Sequence, residues 1–296
     1  MIYDIRHVTR FDYGGAVKFA RCNLRLKPII WSGQTLESYR LTIAPSGRIH
    51  PARAEAGLAN VTRLVIEEPV RQLTIESVSR VVVDRLVPVP SPDDPTLREI
   101  AAAARISRDA SPAGPANYLF PSPLIPLDRD IAEWCAQELD PDRPSLDAAI
   151  ALARRIQDEF TFDAEATLVD TPPHEAFVKR GGVCQDFAQI MITGLRAAGL
   201  PAAYASGYIR TIPPPGEARL VGADATHAWV LLWCGPERGW IGVDPTNGIW
   251  MAGDHIIMAI GRDYGEIAPI DGVVLGAGAQ KMTVSVDVAP LEEVAA

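Results

Sequence analysis

The chain has 296 residues and a formal net charge of −9, so it is long enough for two compact domains. Acidic residues outnumber basic ones and no basic face is large enough to suggest phosphate binding, which argues against nucleic acid as a partner. Residues 1–7 do not resemble a signal sequence and no stretch is apolar enough to span a membrane, so we expect a cytoplasmic protein without a membrane partner. The cysteines are widely spaced, which is typical of a reducing compartment: Cys22, Cys135, Cys184 and Cys234.

Residues 1–90 have the two-residue alternation of β-strands. The first strand is expected to end at Gly14-Gly15, which predicts a hairpin turn before a second strand at residues 17–26. Further strands are predicted at residues 36–43, 61–67 and 73–84, each bounded by glycine or proline. The pattern predicts an N-terminal antiparallel domain that resembles a β-sandwich.

A proline-rich linker is predicted at residues 91–127, with one short helix at about residues 97–106. The prolines at positions 88–95 mark the domain boundary, because each removes a backbone donor from any strand ladder. Residues 128–296 then form the second domain. It opens with two helices, one capped by Asp128 and one beginning at Ser145.

Cys184 follows Gly181-Gly182 and is predicted to open a helix that ends near Gly199. A helix N-terminus favours a thiolate and offers backbone N–H groups to an oxyanion, which are the requirements of a cysteine nucleophile. A buried, inert cysteine is the alternative interpretation, because free cysteines are often core residues. Cys135 is interpreted as a helix-packing residue, and Cys22 and Cys234 are interpreted as residues with structural or surface roles.

Two strands, at residues 226–233 and 240–246, are predicted to form a hairpin beyond a polar excursion that begins at residues 213–216. If Trp233 pairs with Arg238, antiparallel register places His227 opposite Asp244, close enough for a hydrogen bond. The same register predicts a shared face for three neighbours: Trp229, Trp240 and Gly242.

A cysteine nucleophile, a histidine base and an orienting carboxylate form a generalised catalytic triad. In this hypothesis Cys184 attacks a carboxamide carbon, His227 transfers the proton, and Asp244 fixes the histidine tautomer. A core histidine and a turn aspartate are the structural alternatives for the last two residues. Zinc binding by these side chains, joined by His255 or His174, is disfavoured because no zinc-binding motif is present.

Three sequence blocks resemble the core of the transglutaminase-like superfamily in its bacterial branch. They are GVCQDFA at residues 182–188, THAWV at 226–230 and GWIGVDPTN at 239–247. The resemblance implies an α+β, papain-like core in which the cysteine helix packs on an antiparallel sheet, preceded by the β domain of that branch. It also implies that the family's Cys, His and Asp correspond to Cys184, His227 and Asp244.

Family members include proteases, amidases, cross-linking enzymes and proteins without activity. We therefore expect a cysteine protease or amidase that acts on a peptide, protein or small amide through a thioester. A protein-glutamine transglutaminase and a non-catalytic scaffold are the alternatives. No cofactor or metal is predicted, the oligomeric state is open, and three residues are predicted to contact substrate: Trp229, Arg262 and Tyr264.

Overall fold

The computed structural model describes residues 1–211, 226–276 and 278–291, so the excursion predicted at residues 213–216 lies outside the described residues. The strands of the described residues are β1 (Ile2–Lys27), β2 (Gln34–Ala44), β3 (Arg48–Ala52), β4 (Leu58–Ile66), β5 (Val70–Val83), β6 (Thr161–Phe162), β7 (Gly181–Gly182), β8 (Ala202–Ile209), β9 (Thr226–Trp233), β10 (Trp240–Asp244), β11 (Ile249–Trp250), β12 (His255–Gly261), β13 (Ile270–Gly276) and β14 (Gln280–Leu291). The helices are α1 (Leu97–Arg105), α2 (Arg129–Cys135), α3 (Ser145–Glu159), α4 (Pro173–Lys179), α5 (Cys184–Ala197), α6 (Gly235–Arg238) and α7 (Tyr264–Ile267).

The long strand β1 organises the N-terminal sheet. The predicted hairpin at Gly14-Gly15 is wrong, because β1 passes through both glycines without turning. The backbone N–H of Gly14 donates to the carbonyl oxygen of Ala279 at 2.8 Å, and a Cβ on Gly14 would lie 3.2 Å from that oxygen. Glycine therefore permits a close approach between neighbouring strands here.

Two pairs of consecutive strands lie end to end along the edges of β1. Strands β4 and β5 pair along one edge, and β13 and β14 pair along the other. Strands β2 and β3 add an outer row against β5 and β4. Residues 270–291, which were predicted within the second domain, thus pair with the first strand of the chain.

The N-terminal sheet continues into the sheet that carries the site. Its path runs β2-β5-β1-β4-β12-β8-β9-β10-β11, and β12 joins β4 through Ala259 and Ala59. The N-terminal strands also pack against the strands that carry the site, since Tyr3 and Ile5 share an apolar cluster with Tyr208 and Ile256. The strand pairing and this cluster together hold β8 and β9 in place beneath helix α5.

Helix α5 packs against β8 and β9 in the largest apolar cluster. Helix α1, in the segment predicted as a linker, contributes Leu97 and Ile100 to that cluster. The fold is α+β, with a large curled antiparallel sheet and the cysteine helix on one part of it, which confirms the predicted fold class. Among the described helices, none has both the length and the apolar character needed to cross a membrane.

Candidate active site

Cys184 is the first residue of α5 and is partly exposed, whereas the other three cysteines are buried. Asp186, in the same first turn, accepts hydrogen bonds through Oδ2 from the backbone N–H of Val183 at 2.8 Å and from the Thr167 hydroxyl at 2.6 Å. These contacts fix the chain on both sides of the thiol. Gln185 adds a hydrogen bond from its side-chain nitrogen to the carbonyl oxygen of Val169, at 2.7 Å.

Gly182 has no room for a side chain, because a Cβ would lie 2.5 Å from Asp186 Oδ2. We expect Gly182→Ala to displace the cysteine turn and lower kcat/KM by about 100-fold, since displacements near 1 Å at a reacting group have such effects. Gly181→Ala is the matched control, because its Cβ would lie 3.5 Å from its nearest neighbour, the carbonyl oxygen of Thr161, which is an ordinary contact distance. Equal kcat/KM values for the two variants would contradict this prediction.

His227 and Asp244 meet, although the predicted strand register is displaced by two residues. Trp233 pairs with Trp240 and not with Arg238, because α6 occupies the connection. A displacement by two keeps every side chain on its predicted face, since side chains alternate with a period of two. His227 Nε2 lies 2.7 Å from Asp244 Oδ2.

The Asp244 carboxylate is fully buried and accepts hydrogen bonds at both oxygens. Oδ1 accepts from the backbone N–H groups of Thr246 at 2.9 Å and Asn247 at 3.3 Å. Oδ2 accepts from the Asn247 side-chain nitrogen at 2.6 Å, as well as from His227. Burial alone would raise the pKa of Asp244, but hydrogen bonds from His227 and His255 outweigh burial and hold this pKa well below its ordinary value.

The His227 ring interacts with both Asp244 and the Cys184 thiol. Because Nε2 faces Asp244, Nδ1 is the ring nitrogen left to interact with Cys184. Burial by itself lowers the pKa of His227, but its interactions with Asp244 and Cys184 raise the pKa to about 10. A protonated imidazole beside the sulfur favours a thiolate.

Trp229, predicted as a substrate contact, is fully buried and presents no surface to a substrate in this structure. Its indole N–H points to Met251 Sδ at 3.1 Å, and its ring stacks on His227 with centroids 6.0 Å apart. Trp229 lies on the same face of the sheet as His227, as predicted, but that face is buried. The indole ring packs against the imidazole ring and restricts its orientation.

The other two predicted substrate contacts are Arg262 and Tyr264, which are both partly exposed. Arg262 forms an ion pair with Glu266 at 2.5 Å. Tyr264 packs edge-on against Tyr204, with ring centroids 6.4 Å apart. Burial raises the pKa of Tyr204 well above its ordinary value. A role in substrate binding stays a prediction for Arg262 and Tyr264.

Sequence reasoning missed His255 and Asn247 as partners of Asp244. His255 Nε2 lies 3.3 Å from Asp244 Oδ2. His227, Asp244 and His255 therefore present potential metal-ligand atoms within 4.8 Å of one another. However, tetrahedral zinc holds ligand atoms roughly 3.4 Å apart. The 2.7 Å separation between His227 and Asp244 instead fits a direct N–H···O hydrogen bond.

A partly exposed thiol at a helix start and a buried, carboxylate-bound imidazole on an antiparallel sheet define a papain-like α+β protein. The chain belongs to the transglutaminase-like superfamily. The model of the transglutaminase-like superfamily matches residues 133–245, and that of the bacterial transglutaminase-like N-terminal region matches residues 3–82. Both matches confirm the resemblance to the bacterial branch.

The similar proteins include an uncharacterised protein of Mycobacterium tuberculosis, 36% identical over 98% of this chain and 93% of the relative. A protein-glutamine gamma-glutamyltransferase of Pseudomonas aeruginosa is 40% identical over 100 residues, which cover 32% of this chain and 15% of that protein. The crystal structure of a candidate cysteine protease from Cytophaga hutchinsonii has a TM-score of 0.72 at 19% identity and covers 99% of this chain and 92% of that chain. At that identity the likeness concerns the fold alone.

Proposed function

We propose that the protein is a cysteine-dependent amide hydrolase, a protease or amidase, that forms a thioester on Cys184. The observation that carries this proposal is the His227 ring, which pairs with buried Asp244 at 2.7 Å and whose pKa is raised by its interactions with Asp244 and with the partly exposed Cys184. This is the arrangement of nucleophile, base and orienting group that acyl transfer requires. A peptide, protein or small amide would be the substrate.

In the first half-reaction the Cys184 sulfur attacks the amide carbon, and the C–N bond breaks as His227 gives its proton to the departing amine. In the second, His227 takes a proton from water, whose oxygen attacks the thioester carbon and releases the acid and the thiolate. The backbone N–H of Cys184 is a candidate donor to the oxyanion, because the first N–H groups of a helix have no intrahelical acceptor.

Amine transfer is the second candidate function. It is supported by the local 40% identity to a protein-glutamine gamma-glutamyltransferase. An amine acceptor requires a binding subsite of its own, whereas water reaches any open thioester, so we favour hydrolysis.

Product analysis separates the two reactions. Glutamine-containing peptides should be converted to free acids even with excess primary amine, as measured by mass spectrometry. A predominantly amine-linked product would instead establish transfer, and an unchanged panel of amides and peptides would count against both reactions.

The cytoplasmic location stays a prediction.

The raised pKa of His227 predicts the alkaline limit of the reaction. His227 binds its proton below a pH of about 10 and loses it above that value, so the leaving amine is protonated only on the acid side. We expect kcat/KM, which reports the pKa values of the free enzyme, to hold up to about pH 10 and then to fall. The same interaction stabilises the fold fully below the ordinary histidine pKa of 6.5, and this contribution is lost as the pH rises through about 10.

The measurement is a pH profile of kcat/KM, with circular dichroism at each pH to confirm that the protein is folded. A loss of kcat/KM centred near pH 6.5, the ordinary histidine value, with the fold intact would contradict the prediction.

A further inference from the structure

His255 opens β12 and is almost completely buried. Its Nδ1 lies 3.4 Å from the backbone nitrogen of Ala252, which can only donate a hydrogen. The ring therefore accepts at Nδ1 and carries its hydrogen on Nε2, which faces Asp244 Oδ2 at 3.3 Å. This tautomer is a neutral imidazole that donates to the carboxylate.

The two histidines thus reach the same oxygen of Asp244 from different strands. His227 lies on β9 and pairs with Gly207 of β8, while His255 lies on β12 and pairs with Ile209 of β8. Strand β8 therefore fixes the spacing of the two rings. Trp229 packs against both rings, with centroids 6.0 Å from His227 and 5.2 Å from His255.

We propose that His255 is a positioning residue that holds the Asp244 carboxylate in the orientation required by His227. The inference rests on the proposed function for its effect on turnover. Oδ1 is held by the backbone of the turn after β10, but Oδ2 depends on side chains for its donors. Without His255, Asn247 is the only donor to Oδ2 among the described residues besides the His227 ring itself. A looser carboxylate would orient His227 poorly towards Cys184.

Substitutions that separate hydrogen bonding from packing test this role. His255→Phe fills the volume without a donor, whereas the amide nitrogen of His255→Gln replaces Nε2–H. We expect His255→Phe to lower kcat by about 10- to 100-fold with KM nearly unchanged. Losing a hydrogen-bond partner that orients a functional side chain commonly has an effect of this size. His255→Gln should recover most of that loss. If the Phe variant does not fold, His255→Asn takes its place, because its shorter side chain does not reach Asp244.

His7 provides a matched control for the loss of a buried, hydrogen-bonded imidazole. It is as deeply buried as His255 and bonds through Nδ1 to the Tyr208 hydroxyl at 2.7 Å and through Nε2 to the Thr9 hydroxyl at 2.9 Å. We expect His7→Phe to lower thermal stability and to leave kcat within about twofold, because it lies outside the Asp244 network. A fall in kcat equal to that of His255→Phe would overturn the proposal.

A second readout does not depend on turnover. In proton NMR spectra, the Nε2–H of His227 should exchange slowly in the wild type and in His255→Gln, and rapidly in His255→Phe. Equal exchange and equal kcat in all three proteins would overturn the positioning role, as would equal impairment of the Gln and Phe variants. If no amide is turned over but the exchange rates differ as expected, the proposed function fails and the role of His255 stands.

Discussion

Replacing Cys184 with alanine should abolish amide turnover and leave the fold intact. The variant lacks the atom that forms the thioester, so we expect kcat/KM to fall by at least about 10³-fold. Because the thiol is only partly buried, the free energy of unfolding should change by less than about 1 kcal/mol. Hydrolysis rates and thermal unfolding of the purified variant measure the two effects.

Cys22→Ala is the control for this experiment. Cys22 lies in β1, where it pairs with Leu64 of β4 and belongs to a cluster of the N-terminal sheet. Its loss should reduce stability slightly through the small cavity left in the core, while kcat stays unchanged. Activity of Cys184→Ala within tenfold of the wild type would rule out a thioester on this residue.

The change Asp244→Asn should have the second-largest effect. Both carboxylate oxygens accept hydrogen bonds, so an amide NH₂ group would face N–H donors at whichever oxygen it replaced. His227 would also lose the charge that favours its protonated form. We expect kcat to fall by about 10³- to 10⁴-fold, as in other triads whose aspartate is changed to asparagine.

Asp271→Asn is a matched control, because the Asp271 carboxylate of β13 binds Arg25 and Asn23 of β1 and not residues of the Asp244 network. The Asp271→Asn variant should lose its ion pair with Arg25 and keep the kcat of the wild type. The Asp244 hypothesis is wrong if the two asparagine variants have similar kcat values and similar thermal stabilities.

Much of the site could be predicted from short segments of sequence. The glycines and the apolar run around Cys184 determine a helix start, and this is where α5 begins. The hairpin was predicted with an error of two residues in register, because α6 in the connection has no strand-like pattern. Since the error was an even number, His227 and Asp244 still lie on one face.

Contacts that depend on distant parts of the chain could not be predicted in this way. His255 reaches Asp244 only because β12 pairs with β8 and β8 pairs with β9, an order that no local pattern encodes. The burial of Trp229 likewise depends on contacts with distant parts of the chain. Its face of the sheet is covered by Met251 and by Ile29, which lies far away in the sequence.

The N-terminal sheet illustrates a related limit. Gly14-Gly15 has the composition of a hairpin turn, but the strand continues because β14 pairs with β1 as far as Tyr13 and Gly14 bonds to Ala279. Pairing over more than 250 residues of sequence thus overrides a local turn signal.

Peptide mapping after limited treatment with iodoacetamide tests the central claim most directly, because the chain contains its own controls. Burial raises the pKa of Cys22, and raises those of Cys135 and Cys234 to about 12. Cys184 is partly exposed and interacts with His227, whose pKa this interaction helps to raise. We expect one label per chain, on Cys184, with complete loss of amide turnover. Equal labelling of Cys184 and Cys234, or full turnover by protein labelled at Cys184, would contradict the assignment of Cys184 as the nucleophile.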